Sequence, residues 1–321
     1  MLAPLSFDEL LSESFIKIEK EIEELWDSLR RKTPSLDAFL ASQNPFGQSP
    51  GNRLAIGTLS VALRLAAPIL GQKRASNARD RLCAIARSLL SGFSDYSYII
   101  LRSNRLWAPR YWEYPWAIVN TQLRQGIEVL DVGSGWSIFP MYLAKLGAHV
   151  TAVDTDVVQM NRISPFLARL VSAEISYRVG DATSLEFPDN MFDRVYCISV
   201  LEHLEEETRN GKPFNARKKN LDVVAIQELL RVLKPGGYLA ITADWSEQPS
   251  NLRSYRFNDM VGRLIKPFQT CLVSRTMPRV DWTSYYPRIL KLWQERFPFD
   301  TEEQALGEAA AAMGILLKKP T

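Results

Sequence analysis

The most constraining feature of this 321-residue chain is the segment VLDVGSGWSIFPMYLAKLGAHVTAVD, residues 129–154. Its first apolar run, which ends at Asp131, is typical of a buried strand, and Gly133, Ser134 and Gly135 then predict a tight turn. A helical pattern and a second apolar run follow. Strand, glycine turn, helix and strand in this order predict the beginning of a parallel sheet that is covered by helices.

The glycine turn and the acid after the second strand indicate a site for a nucleoside-containing cofactor. Glycine permits a positive φ and a close approach of ligand to backbone. Asp154 follows Gly135 by 19 residues, near the roughly 20 residues expected for an acid that binds both hydroxyls of a ribose. Ile138 stands where a dinucleotide loop has its third glycine, and no Gly-Lys-Ser/Thr follows. Neither a pyrophosphate loop nor a Walker loop is therefore predicted.

Strand-like and helical patterns alternate from about residue 115 onward, which predicts an α/β fold with a parallel sheet between helices. The predicted strands cover 127–130, 149–153, 175–179, 194–199 and 238–242, with a weaker candidate at 270–274 and a closing strand at 313–317. The predicted helices cover 138–146, 157–170, 221–233 and 301–311.

The residues before this alternation favour a helical N-terminal extension. Leu, Ile, Phe and Trp recur at three- and four-residue spacing over 7–32, and further helices are predicted over 53–70 and 75–91. We expect residues 1–114 to form a helical N-terminal domain that caps the site or mediates dimer contacts. Residues 115–321 would form the domain that binds the cofactor.

Four further motifs follow the glycine turn in a fixed order. Gly180-Asp181-Ala182 follows the third strand, Leu201-Glu202-His203 follows the fourth, and residues 192–199 and 230–237 lead into the fourth and fifth strands. Over residues 115–245 the chain resembles the class I S-adenosylmethionine (SAM)-dependent methyltransferases, especially their small-molecule branch with "LEH" after strand four. The resemblance implies a doubly wound, Rossmann-like, seven-stranded and mainly parallel sheet, whose last strand is inserted antiparallel between two others.

The resemblance also implies a set of residues that bind SAM. These are Asp131, Gly133, Ser134, Gly135, Asp154, Asp181, Ala182 and Ser199. Asp131 would reach the amino group of the methionine part, directly or through water, Asp154 the ribose hydroxyls, and Asp181 the adenine. Many loops of the family have a further glycine where Ser137 stands, but a serine can cap the helix that follows.

His203 is the candidate catalytic base, because an imidazole titrates near neutral pH. The alternative is that Glu202-His203 is a structural feature that caps the next helix. Some quinone-biosynthesis relatives bind a metal through an added acid three residues before this glutamate. Ser199 has that position here, so no metal is expected.

The leading functional hypothesis is methyl transfer from SAM to a small-molecule or lipid-like acceptor, of anionic or aromatic character. One rival is a nucleic-acid or protein methyltransferase that uses two basic stretches, 73–110 and 253–296. Nucleic acid is disfavoured because no Asn/Asp-Pro-Pro-aromatic element follows strand four. A second rival is a SAM-binding regulator without turnover. The aromatic segments 107–116 and 281–297 are interpreted either as covers of the site or as core.

The three cysteines show no CxxC spacing, which is typical of a protein in a reducing compartment, and we expect a cytoplasmic protein. The sequence has no uninterrupted apolar run of about 20 residues, so no transmembrane segment is predicted. A homodimer formed through the helix at 7–32 remains an alternative to its packing within one chain.

Overall fold

The computed structural model describes residues 3–4, 13–32, 110–135, 137–204, 206–209, 212–215, 220–246, 255–277 and 312–321. The helices predicted over 53–70, 75–91 and 301–311, the aromatic segment 281–297 and most of the two basic stretches lie outside the described residues.

Seven principal strands form one sheet. They are β1 (Glu128–Val132), β2 (His149–Asp154), β3 (Ile175–Val179), β4 (Phe192–Ile198), β5 (Leu233–Ser246), β6 (Leu272–Met277) and β7 (Ala312–Lys318). Their order is β3-β2-β1-β4-β5-β7-β6, with the short segments Ala3–Pro4 on β6 and Tyr255–Arg256 on β5. Strands β1 to β5 are parallel, and β7 runs antiparallel between β5 and β6. The predicted doubly wound, mainly parallel sheet and its antiparallel closing strand are confirmed.

The central strands are buried on both faces, as expected of a parallel sheet between helices. Val129 and Leu130 of β1 are both fully buried but belong to two different apolar clusters, one on each face. The polar residues that end these strands therefore collect at the carboxyl edge, where open α/β sheets bind ligands.

The described residues form six α-helices, which are α1 (Glu13–Arg31), α2 (Arg110–Thr121), α3 (Phe139–Lys145), α4 (Ser164–Leu170), α5 (Leu221–Val232) and the short α6 (Phe257–Met260). The sequence predicts one helix over 157–170, but a π-helical turn, Gln159–Ile163, precedes α4. Pro165 has no N–H to donate, and the N–H of Ser164 reaches the carbonyl of Gln159, five residues back, so the helix widens before the proline. No helix among the described residues is long and apolar enough to cross a membrane.

Strand β5 begins earlier than the predicted 238–242 because helix α5 passes directly into it. Leu233 already pairs with Phe192, and the register then shifts before Arg194. Gly237 fits this irregular stretch, since a Cβ there would lie 2.7 Å from Leu233 Cδ1.

Helices α1 and α2 pack together on the sheet. Trp116 of α2 lies against β7, where a Cβ on Gly314 would be 2.6 Å from the indole. Ile22 and Trp26 of α1 are buried in the same apolar cluster as Trp116, so the apolar stripe of α1 is covered within this chain. The domain boundary that we place after residue 114 falls inside α2.

Candidate functional site

The two glycines of the loop after β1 have different surroundings. Gly133 and Gly135 have φ of +69° and +48°, which costs other L residues about 1–2 kcal/mol. A Cβ on Gly133 would be 2.4 Å from Val200 Cγ2, whereas a Cβ on Gly135 would meet no described atom closer than 3.8 Å. Gly133 therefore admits the Val200 side chain, and Gly135 borders open space.

Ser134, between the two glycines, is turned into the protein. It is 2% exposed, and its hydroxyl donates to the Met160 sulfur at 3.9 Å. The N–H groups of Gly133 and Ser134 donate to the Val153 carbonyl at 2.8 and 3.1 Å. The loop is thus held to the end of β2 by these two backbone hydrogen bonds.

Asp154 at the end of β2 holds the loop from the outside. Its Oδ2 accepts from the N–H of Gly135 at 2.9 Å, and its Oδ1 accepts from the N–H of Asp156 at 3.0 Å. Because each carboxylate oxygen has two lone pairs, both can still accept a ligand hydroxyl. Asp154 therefore fastens the end of the glycine loop to the end of β2.

Asp131 at the end of β1 is a buried acid with a free acceptor atom. It is 3% exposed, and its Oδ2 has no hydrogen-bond partner among the described residues. Burial and the nearby Asp154 charge raise the pKa of Asp131 well above its ordinary value, and Arg110 opposes them. A carboxyl in this setting is stabilised by a donor or a cation that arrives with a ligand.

Asp181 and Ala182 follow β3 at the same edge. Asp181 is exposed, and its Oδ1 accepts from the N–H and the hydroxyl of Thr183 at 2.8 and 2.7 Å. Ala182 is 5% exposed. The N–H of Gly180 donates to the Asp154 carbonyl at 3.0 Å, so the turn after β3 is held beside the end of β2.

Ser199 joins the end of β4 to α2. It lies in the left-handed region at φ +51°, and its hydroxyl donates to Oε1 of Glu113 at 2.8 Å. The Thr242 hydroxyl donates to the same oxygen at 2.7 Å, and Arg110 forms an ion pair with Glu113. The predicted cofactor-binding Ser199 is thus part of a network around the fully buried Glu113.

Arg110 is the cation of this network. Burial lowers its pKa, but the charges of Glu113, Tyr114 and Asp244 and the hydrogen bond to Glu113 together keep the pKa of Arg110 above its ordinary value. Arg110 also donates to the Ser199 hydroxyl at 2.7 Å. Helix α2 is therefore bound to the ends of β4 and β5 by a charged, hydrogen-bonded cluster.

The turn after β4, Leu201–His203, places its two titratable side chains differently. His203, the predicted base, is exposed, whereas Glu202 is 6% exposed and neither of its carboxyl oxygens has a hydrogen-bond partner among the described residues. Oδ1 of Asp244 on β5 is also buried and unpartnered. Sequence reasoning passed over Glu202 as a chemical group, although its apolar neighbours Val200 and Leu201 are the signal that it is buried.

The aromatic segment before β1 is partly core. Tyr114 stacks on Phe139 with ring centroids 4.5 Å apart and shares a 2.8 Å hydrogen bond with the Ser137 hydroxyl. Ser137 also accepts from the N–H of Phe139, the first residue of α3, at 2.9 Å, but it does so from the position before the N-cap, which is Ile138. Tyr114 and Trp116 are 3% and 1% exposed, which places these two in the apolar seam between α2 and the sheet.

Comparison with known proteins identifies the domain around this site. Residues 130–241 match the family model described as a methyltransferase domain. The chain is 34% identical over 134 residues to 2-methyl-6-phytyl-1,4-hydroquinone methyltransferase of Synechocystis sp., covering 41% of this chain and 36% of that protein. It is 31% identical over 121 residues to a sterol 24-C-methyltransferase of Gibberella zeae (37% and 28% covered). It is 32% identical over 120 residues to ubiquinone biosynthesis O-methyltransferase of Xanthomonas oryzae pv. oryzae (36% and 43% covered).

The matched segments span less than half of each relative's own length. The similarity is concentrated on the strands and loops that build the carboxyl edge, from β1 to β5. Family match, strand order and glycine loop agree, and the chain therefore contains a class I SAM-dependent methyltransferase domain.

Proposed function

We propose that this protein binds SAM at the carboxyl ends of β1, β2 and β3 and transfers the methyl group to a small-molecule or lipid-like acceptor. The observation that carries the proposal is Asp131, a buried carboxyl with an unpartnered oxygen beside a loop of positive φ. SAM presents an ammonium group, and a charge-assisted hydrogen bond to it would remove the cost of that unpaired carboxyl.

The other residues of the edge fit the remaining parts of SAM. Asp154 presents two oxygens that each have one protein donor and room for a ribose hydroxyl. Gly135 borders open space next to this acid, so the backbone can approach the ligand closely. Asp181 and Ala182 would hold the adenine.

Bound SAM supplies a methyl group on a sulfonium, which is already activated for transfer. The chain has to align the acceptor in line with the methyl carbon and keep water out of the site. We assign this role to helix α2, because the contacts of Glu113 and Arg110 hold it against the ends of β4 and β5.

The names of the relatives support a small or lipid-like acceptor, because they refer to a phytyl hydroquinone, to a sterol and to ubiquinone biosynthesis. These names cover carbon and oxygen methylation, so they favour no acceptor atom. Methylation of nucleic acid or protein, and SAM binding without turnover, are the alternatives.

Transfer of a radiolabelled methyl group from SAM tests this function. Purified protein is incubated with labelled SAM and, separately, with small-molecule, lipid, RNA and protein fractions of a cell extract. The proposal predicts label in the small-molecule or lipid fraction, and its loss with Asp154→Ala but not with Glu174→Gln, which changes an exposed acid. Label only in RNA or protein would favour the first alternative. No label in any fraction, with SAM bound, would favour the regulator.

A further inference from the structure

Two acids beside the proposed SAM site have no role in holding the cofactor. Glu202 is 6% exposed with two unpartnered oxygens, and Asp244 has a buried, unpartnered Oδ1. Buried carboxyl oxygens without donors are costly. These oxygens could therefore accept hydrogen bonds from a bound ligand, since no donor among the described residues reaches them.

Backbone contacts link the two acids to the glycine loop through the end of β4. Thr242 and Asp244 lie two residues apart on β5, so their side chains are on the same face of the strand. This face is directed toward Glu113 of α2, because the Thr242 hydroxyl donates to the Glu113 carboxylate. The N–H of Ser199 donates to the Thr242 carbonyl at 2.9 Å, and the chain continues through Val200 to Glu202. Because the Val200 side chain fills the space beside Gly133, this turn borders the loop.

The charges around the pair are unequal. The carboxyl groups of Glu113, Glu202 and Asp244 interact electrostatically with one another. Among the described groups that act on Glu202 and Asp244, the one cation is the guanidinium of Arg110. Arg110 is already paired with Glu113. Within the described part of the chain, two carboxyls thus remain without a cation of their own.

The two carboxyls differ in how readily they ionise. Burial and then the Asp244 charge raise the pKa of Glu202 well above its ordinary value. Burial and then Glu113 raise the pKa of Asp244 to about 6, while Arg110 opposes them. At neutral pH Asp244 is therefore largely ionised, whereas Glu202 ionises less readily than an exposed glutamate.

The chemistry of the two carboxyls indicates what they could bind. Within the described ranges, no three His, Cys, Asp or Glu side chains are grouped so that they could hold a metal ion. A carboxylate beside an acid that holds its proton more firmly fits an uncharged group that carries a proton, such as a hydroxyl or a neutral amine.

We propose that Asp244 and Glu202 form the acceptor subsite, and that Asp244 takes the proton of a hydroxyl or amine group on the acceptor. This inference rests on the proposed function. As the methyl carbon bonds to the oxygen or nitrogen, its bond to sulfur breaks and the electron pair stays on sulfur as a neutral thioether. The proton of the nucleophile passes to the Asp244 carboxylate and leaves to solvent after the product dissociates. Glu202 acts through Asp244 as a positioning residue.

The test joins a binding measurement to a rate measurement. S-adenosylhomocysteine (SAH) is titrated calorimetrically into wild type, Asp244→Asn, Glu202→Gln and the exposed-site control Glu186→Gln. Labelled methyl transfer is then measured from pH 5 to 9 with catechol, hydroquinone and ethanolamine, and with 1,4-dimethoxybenzene and tetramethylammonium as counterparts that lack a hydroxyl or amine proton.

We expect wild type to methylate at least one of the three protic compounds and neither counterpart. Asp244→Asn should lower kcat by about 100-fold or more, the usual contribution of a general base, with SAH affinity unchanged. Glu202→Gln should lower kcat less than Asp244→Asn does. The rate of this variant should still fall below about pH 6, as in wild type, because that fall reflects protonation of Asp244.

Wild-type rates with Asp244→Asn, or no methylation of any protic compound by protein that binds SAH, would overturn this inference alone. Absence of SAH binding to folded wild type would overturn the proposed function and this inference with it.

Discussion

The same substitution at the two loop glycines should have two different effects. Gly133→Ala adds a Cβ at φ +69° and 2.4 Å from Val200 Cγ2. The conformation costs about 1–2 kcal/mol, and overpacking against a β-branched side chain with restricted χ1 adds about 1–3 kcal/mol. Gly135→Ala carries only the first cost, because its Cβ enters open space.

We therefore expect Gly133→Ala to lower the free energy of unfolding by about 2–5 kcal/mol and Gly135→Ala by about 1–2 kcal/mol. Gly135→Ala should instead weaken SAH binding about tenfold or more, or about 1.4 kcal/mol, because the new methyl group lies where the cofactor would approach. Urea denaturation followed by circular dichroism gives the first quantity, and calorimetry with SAH gives the second.

Val200→Ala supplies the internal control. In the Gly133→Ala background it should recover the overpacking cost, so that the two substitutions together destabilise less than the sum of each alone. Equal stability losses for both glycine variants, or strict additivity of Gly133→Ala and Val200→Ala, would refute the assignment of Gly133 to the Val200 contact.

Three further substitutions test other parts of the structure. Glu202→Gln should flatten the pH dependence of the free energy of unfolding. The pKa of Glu202 is higher in the folded state than in the unfolded state. Its contribution to stability is therefore fully present below the pKa of the unfolded state and is lost as the pH rises through the pKa of the folded state. The variant should thus be more stable than wild type at alkaline pH in denaturation series from pH 5 to 9, and an unchanged pH slope would contradict this. Arg263→Met should cost about 3–5 kcal/mol in urea denaturation, because it leaves the 1% exposed Asp222 without its ion pair, and a loss under about 1 kcal/mol would argue against that pair. Tyr114→Phe should cost about 1 kcal/mol through its lost bond to Ser137, and an unchanged melting curve would show that the bond contributes nothing.

The sequence is most informative where structure is local. Strand β1, the glycine loop and the acid that ends β2 lie within 26 consecutive residues, 129–154, and the residue types alone determine how they are arranged. The carboxyl ends of β3 and β4 were predicted to within one residue, because each strand coincides with a short apolar run. Strand β5 extends to Ser246, beyond its predicted end at residue 242. That Gly135 and Asp154 lie at one edge of the sheet follows from the rule that parallel strands end together.

What the sequence could not show are contacts between distant segments. Glu113 reaches Ser199 and Thr242, 86 and 129 residues away along the chain, and no local pattern links an acid within an aromatic helix to two hydroxyls. The close fit of Gly133 to Val200 is of the same kind. The widened turn before Pro165 was missed because helical periodicity is nearly the same for α- and π-helical geometry over one turn.

The most direct test of the central claim is calorimetric titration of the purified protein with SAH and, in parallel, with NAD, using wild type, Asp131→Asn, Asp154→Ala and the exposed-acid control Glu174→Gln. We predict that wild type and the control bind SAH equally and that neither binds NAD. Asp131→Asn and Asp154→Ala should each weaken SAH binding about ten- to a hundredfold, the value of a hydrogen bond to a charged group. Folded wild-type protein that does not bind SAH, or that binds it with unchanged affinity in both variants, would contradict the account.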